Sequence, residues 1–242
     1  MSGKQKYSCG NRKDGVLWGR DAAQANFPPC TKGVGDEIFD EFKRVYDHFR
    51  DAYEITLSVF AKAVDRRSRE DDGHTRRLTS LVTMLGREMG LDDPAVSEIR
   101  YGALLHDIGT LFIPEMILLK AGGLTDEEWD VIRTHPTQSY ELLSNVPSLR
   151  SILDIPYCHH EKWDGTGYPQ GIAGEEIPLS ARIFAVADVY DALLSARPYR
   201  APWSEEMVRS HIQGLSGVHF DPDVVRHFFA LLGKGGSAVS YR

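Results

Sequence analysis

The stretch "YGALLHDIGT", residues 101–110, places His106 and Asp107 at the end of an apolar run. An imidazole beside a carboxylate is costly to bury unless something pairs with it. The partner can be a hydrogen-bonding group, a catalytic group or a metal. Which of these it is depends on what the rest of the chain brings to the same place.

Outward from this stretch the sequence reads as one helix after another. Leu78, Leu81, Val82, Leu85 and Met89 follow the i, i+3, i+4, i+7, i+11 spacing of one helical face. Gly90 ends that helix, and Asp92-Asp93-Pro94 opens the helix that carries the quoted stretch. Thr125 and Glu128 form a capping box, starting a helix that is expected to end at His135. Ser180 and Asp221-Pro222 start two more. A single long irregular segment, "WDGTGYPQGIAGEEIPL" at 163–179, interrupts them. Alternating β-type patterns are scarce, so the expected fold is all-α and multi-helical.

Upstream, Phe39, Tyr46, Tyr53 and Phe60 recur every seven residues, with Phe42, Phe49, Thr56 and Ala63 three residues later. This a/d pattern predicts a long helix over 36–66, read either as a homodimerisation stalk or as an amphipathic helix lying on its own domain. Residues 1–35 are Gly-rich and lack helical periodicity, which reads as a flexible N-terminal arm. The expected division is therefore arm 1–35, helix 36–66, main domain 67–235 and C-terminal tail 236–242.

Composition narrows the function classes. A chain of 242 residues with net charge −7 argues against a nucleic acid polymer as partner but leaves room for a small anionic ligand. No run is apolar and long enough to span a membrane, and no signal peptide is evident. The cysteines, Cys9, Cys30 and Cys158, fit neither a disulfide framework nor a zinc knuckle, so a cytoplasmic setting is the expectation.

Other polar groups share the apolar faces. His74 lies four residues before Leu78, and Glu70 one turn earlier on the same stripe. His135 stands at a helix end, His159-His160 follow "ILDIPYC", and Asp188 sits inside "ARIFAVADVYDALL". Each alone reads as a satisfied core residue. Together, imidazoles and carboxylates from separate helices suit iron, manganese or zinc better than calcium or magnesium. An adjacent His-Asp pair suits two ions, because the carboxylate can bridge both. Bridged ions are common machinery for phosphoester hydrolysis.

The motifs "HDIG", "HHEKWDGTGYP" and "ARIFAVADVYDALLSARPYR" resemble the HD-GYP branch of the HD phosphohydrolase superfamily, over about residues 65–232. The resemblance implies an all-α domain with two or three divalent ions, iron or manganese, that hydrolyses cyclic di-GMP or a related cyclic dinucleotide. The products would be pGpG or GMP. His74, His106, Asp107, His135, His159, His160 and Asp188 match the family's metal ligands, with Asp107 as the bridge. Glu70 matches the glutamate of three-metal members. Asp191, Arg197, Arg200 and Tyr168 match substrate-contact positions. The loop at Gly167-Tyr168-Pro169 is a candidate docking surface for diguanylate cyclase (GGDEF) domains.

One residue departs from the pattern: Thr110 stands where the family's HDxGK motif has a phosphate-contacting lysine. Two readings of the activity follow. The chain is a metal-dependent phosphodiesterase, or it is a cyclic di-GMP-binding module with weak or no turnover.

Overall fold

The computed structural model describes residues 34–71, 73–196 and 201–234. These are helical with no strand among them, apart from a single isolated bridge between Ser216 and Phe220. They fall into two compact units. Residues 34–59 belong to the smaller, and the described residues from Phe60 onward belong to the larger.

Helix α1 runs from Val34 to Ser68, two residues past the expected end, and the division between units falls inside it. Arg69 follows with a left-handed φ of 56°. The expected arm and tail lie almost wholly outside the described residues.

In the larger unit, α2 (His74–Glu88) presents the expected stripe: Leu78, Leu81, Val82 and Leu85 are at most 2% exposed. Full burial of such a side chain stabilises by roughly 1.5–3 kcal/mol. Helix α3 (Asp93–Leu104) packs on α2 and starts where expected, with Asp92 accepting a hydrogen bond from the Ala95 amide. Pro94 fits there because an N-terminal position has no intrahelical use for its missing N–H. A 3-10 turn, Ile108–Phe112, directly follows Asp107.

Short α4 (Glu115–Leu118) and capped α5 (Asp126–Ile132) come next. The sequence places His135 at the end of the capping-box helix; instead α5 stops at Ile132, and His135 opens α6 (His135–Ser144). Pro136 accounts for the break. A proline is tolerated in a first turn but removes a hydrogen bond from a helix interior.

Helix α7 (Asp154–Cys158) ends at the His-His pair. Helix α8 (Leu179–Leu194) is apolar on nearly every side, as befits its place against α2, α7, α9 (Glu205–Gly214) and α10 (Pro222–Lys234). Its Ile183, Phe184, Val186 and Ala187 are completely buried. The core of α2, α3, α8, α9 and α10 is a scaffold on which α7 packs through Ile155, and the chain just beyond α3 and α7 carries His106-Asp107 and His159-His160.

Candidate metal centre

Asp107 is the point of convergence. Its Oδ2 lies 3.3 Å from His106 Nε2, and its Oδ1 lies 3.3 Å from His135 Nε2 and 3.5 Å from His159 Nε2. Asp107, His135, His159 and His160 each offer one ligand atom, and these atoms lie within 4.8 Å of one another.

The helix ends set the orientation of the imidazoles. His106 Nδ1 donates to the Ala103 carbonyl at 2.9 Å, His135 Nδ1 to Ile132 at 2.8 Å, and His159 Nδ1 to Ile155 at 3.0 Å. Carbonyls near a helix end have capacity to take such bonds, and Ile155 accepts the His159 amide as well. A proton on Nδ1 leaves the Nε2 lone pair of each neutral ring pointing inward. His135 Nε2 and His159 Nε2 therefore face each other at 3.3 Å with a carboxylate oxygen beside both. Lone pairs crowded in this way repel unless a proton or a cation sits among them. The donor set, imidazole nitrogens around a carboxylate with the far nitrogens fixed by carbonyls, fits a divalent metal.

Without a cation, a proton on His106 takes that place. Burial opposes ionisation of Asp107, but the His106 charge and the imidazoles gathered around it hold its carboxyl well below the usual range. Burial disfavours a charged His106, yet Asp107 outweighs it and lifts the imidazole to about 9. His159 and His160 go the other way: burial and neighbouring imidazoles keep both below the ordinary value, so they stay neutral.

His74 stands at the edge of this group, its ring centroid 5.9 Å from that of His106. Its Nδ1 donates to Asp191 Oδ2 at 2.9 Å. Arg77, one turn along α2, grips the same carboxylate through Nε at 2.5 Å and Nη2 at 3.0 Å. Arg77 also holds Asp71 with two bonds of 2.8 and 2.6 Å. Asp191 is expected from the sequence to contact substrate; here it is 1% exposed and both its oxygens are taken by His74 and Arg77. Glu70 and Asp188 lie outside the four-residue cluster. Both charges act on His74, and that of Asp188 also reaches His106.

Tyr168 stacks on His160 with centroids 4.7 Å apart and an interplanar angle of 23°. Thr110 is buried, and its hydroxyl donates to the Asp107 carbonyl at 2.8 Å. Arg197 and Arg200 lie outside the described residues.

Several residues of the site are not evident from the sequence. Glu161 is 2% exposed and accepts hydrogen bonds from the amides of Gln170 and Gly171 at 2.7 and 3.1 Å, which folds the 163–172 loop back over His160. Its neighbours in "HHEKWDGTGYP" are the available signal, since a carboxylate before a Gly-rich loop has many amides to collect. Gly109 lets the 3-10 turn touch α6: a Cβ there would stand 2.0 Å from the His135 carbonyl oxygen. Its amide donates to Ser139 at 2.8 Å. Phe184 forms the apolar floor, 4.9 Å from the His106 ring and 5.8 Å from that of His159.

Comparison with known proteins places this geometry in context. The HD domain family model matches residues 58–224. A cyclic di-GMP phosphodiesterase of Thermotoga maritima is 41% identical over 198 residues, 81% of this chain and 53% of that protein. The cyclic di-GMP phosphodiesterase response regulator RpfG of Xanthomonas campestris is 41% identical, covering 70% of this chain and 46% of its own length. A 3'3'-cGAMP-specific phosphodiesterase of Vibrio cholerae is 39% identical, covering 77% and 36%. The chain thus spans about half the length, or less, of these curated relatives. Among solved structures, a V. cholerae cyclic GMP-AMP phosphodiesterase superposes with a TM-score of 0.59 at 21% identity, covering 74% of this chain and 48% of that one. The HD domain of a Listeria monocytogenes phosphodiesterase, bound to cyclic di-AMP, gives 0.55 at 15% identity, covering 77% and 98%. The all-α architecture, the converging His-Asp cluster and the matched span of 58–224 together make this chain a member of the HD domain family, in its HD-GYP branch.

Proposed function

We propose that this chain hydrolyses a phosphodiester bond of a cyclic dinucleotide, cyclic di-GMP foremost, yielding pGpG or GMP. The observation that carries the reading is the set of Nε2 atoms of His106, His135 and His159 turned onto Asp107. Two or three divalent ions, iron or manganese, would be held by His74, His106, Asp107, His135, His159, His160 and Asp188, with Glu70 serving a third. Bound there, such ions supply Lewis acidity to the phosphoryl oxygens and lower the pKa of an attacking water.

The chain's own residues do the rest. Asp107 gathers three imidazoles, and the carbonyls of Ala103, Ile132 and Ile155 fix their tautomers. Asp191 and Arg77 hold His74 in register. Tyr168, stacked on His160, and the Glu161-clamped loop wall the site. In this reading Arg197 and Arg200 grip ligand phosphate, and the Gly167-Tyr168-Pro169 loop docks a GGDEF domain.

Thr110 favours a second reading, a cyclic di-GMP sensor with little turnover. Its hydroxyl is committed to the Asp107 carbonyl, so it leaves no donor for a ligand phosphate. Loss of a preorganised charge typically costs about 10²–10³ in rate. Elemental analysis after anaerobic metal loading separates the cases when paired with Thr110→Lys. The enzyme reading expects at least two metal equivalents and a Glu70→Ala variant that loses one. Less than one equivalent per chain defeats both readings. A large gain in rate from Thr110→Lys over a nearly silent wild type favours the sensor.

A further inference from the structure

Helix α1 carries an exposed apolar face. Phe39, Phe42 and Phe49 are 64%, 67% and 69% exposed, and Ile38, Val45 and Tyr46 are exposed beside them. Contiguous exposed aromatic surface of this kind marks an interaction site. In heptad notation Phe39 and Tyr46 are a, Phe42 and Phe49 are d, and Ile38 and Val45 are g. The stripe continues to Val59, also exposed, so that 38–59 spans about 33 Å of helix at 1.5 Å per residue.

We infer that this face pairs in parallel with the same face of a second copy of this chain. The flanking charges choose the partner and its direction. Position e holds Lys43 and Arg50, while the acidic Asp40, Asp47 and Glu54 occupy b, further from the seam. An antiparallel pair sets e against e and so lines up cation with cation. A parallel pair sets e against g, so the alkyl stems of Lys43 and Arg50 cover Ile38 and Val45 of the other copy. The Arg50 guanidinium already turns away from the seam, to Asp47 at 3.0 Å and Asp51 at 3.4 Å. Residues 1–33 offer no heptad of their own to this face, whereas a second α1 offers the matching one.

Sedimentation of the full, metal-free chain tests the pairing independently of any activity. The expected result is a species of twice 27.1 kDa at micromolar concentration. Phe42→Glu/Phe49→Glu should raise the dimer dissociation constant at least 100-fold while circular dichroism stays helical. Orientation is read by Phe49→Cys in a Cys9→Ser/Cys30→Ser background, with Cys158 buried and left in place. A parallel pair sets d beside d, so oxidation should join the two Phe49→Cys positions in a homodisulfide. Three results overturn the inference: a wild type that is monomeric at tens of micromolar, a dimer indifferent to the double glutamate variant, and a dimer that forms no Phe49→Cys disulfide.

Discussion

Asp107 organises the site because its carboxylate lies within 3.5 Å of three imidazole Nε2 atoms. Asp107→Asn keeps the shape and removes the charge, so it should lower metal affinity together with turnover; elemental analysis and a hydrolysis assay check both. Full metal content in this variant would show that Asp107 is not the shared ligand. Arg77 and Asp191 act one step further out. Partners that orient a ligating histidine typically contribute 10–100-fold in metal affinity. Asp191→Ala should therefore lose affinity of that order at the His74 position, read by metal titration. Arg77→Met should follow it, and Arg77→Lys should recover part of the loss, because a lysine keeps the charge but not the planar fork. Equal titrations for all three variants would leave the network a purely structural role. The histidines and Asp107 were legible in the sequence because adjacent polar groups on apolar faces ask for an explanation. Arg77 was not, since Asp191, the carboxylate it shares with His74, lies 114 residues away.

At the scale of elements, the site depends on how closely the 3-10 turn after Asp107 approaches α6. Gly109→Ala would drive a methyl into the His135 carbonyl and Ser139. Overpacking of this kind costs about 1–3 kcal/mol, and here it separates Asp107 from His135. The variant should lose metal affinity out of proportion to its fall in melting temperature. An unchanged metal titration would mean that the contact does not set the cluster's geometry. Helix α8 supports the same place from below, and Phe184→Ala should destabilise by about 3–5 kcal/mol, measurable by denaturant unfolding. Helix positions were legible wherever a stripe and a cap coincided, as at Leu78–Leu85 and Asp92. The break at His135 was misplaced because a capping box marks only a start; the end was set by Pro136.

For the molecule as a whole, the all-α architecture followed from periodicity, while the boundary between units did not. The helical pattern runs unbroken through residue 59, and compactness rather than sequence changes there. Acid stability is likewise a property of the assembled core. His219 stacks on Phe220; burial first, then the nearby Lys162 charge, hold its pKa to about 4. In the unfolded chain an imidazole takes up its proton near pH 6.5. Between those values the unfolded state binds more protons, so stability is full above about 6.5 and falls as pH drops towards 4. His219→Phe should remove that part of the decline, at most about 3 kcal/mol. Parallel stability-versus-pH curves for wild type and variant would contradict it.

We propose that the Asp107 cluster cleaves a cyclic dinucleotide. Single-turnover hydrolysis of cyclic di-GMP, with anaerobically iron- or manganese-loaded protein in excess, tests it most directly. The wild type should release pGpG or GMP, and Asp107→Ala should do so at a rate at least ~10³-fold lower, the scale expected when a charge-stabilising catalytic group is removed. Intact cyclic di-GMP after prolonged incubation with fully metal-loaded wild type would contradict it.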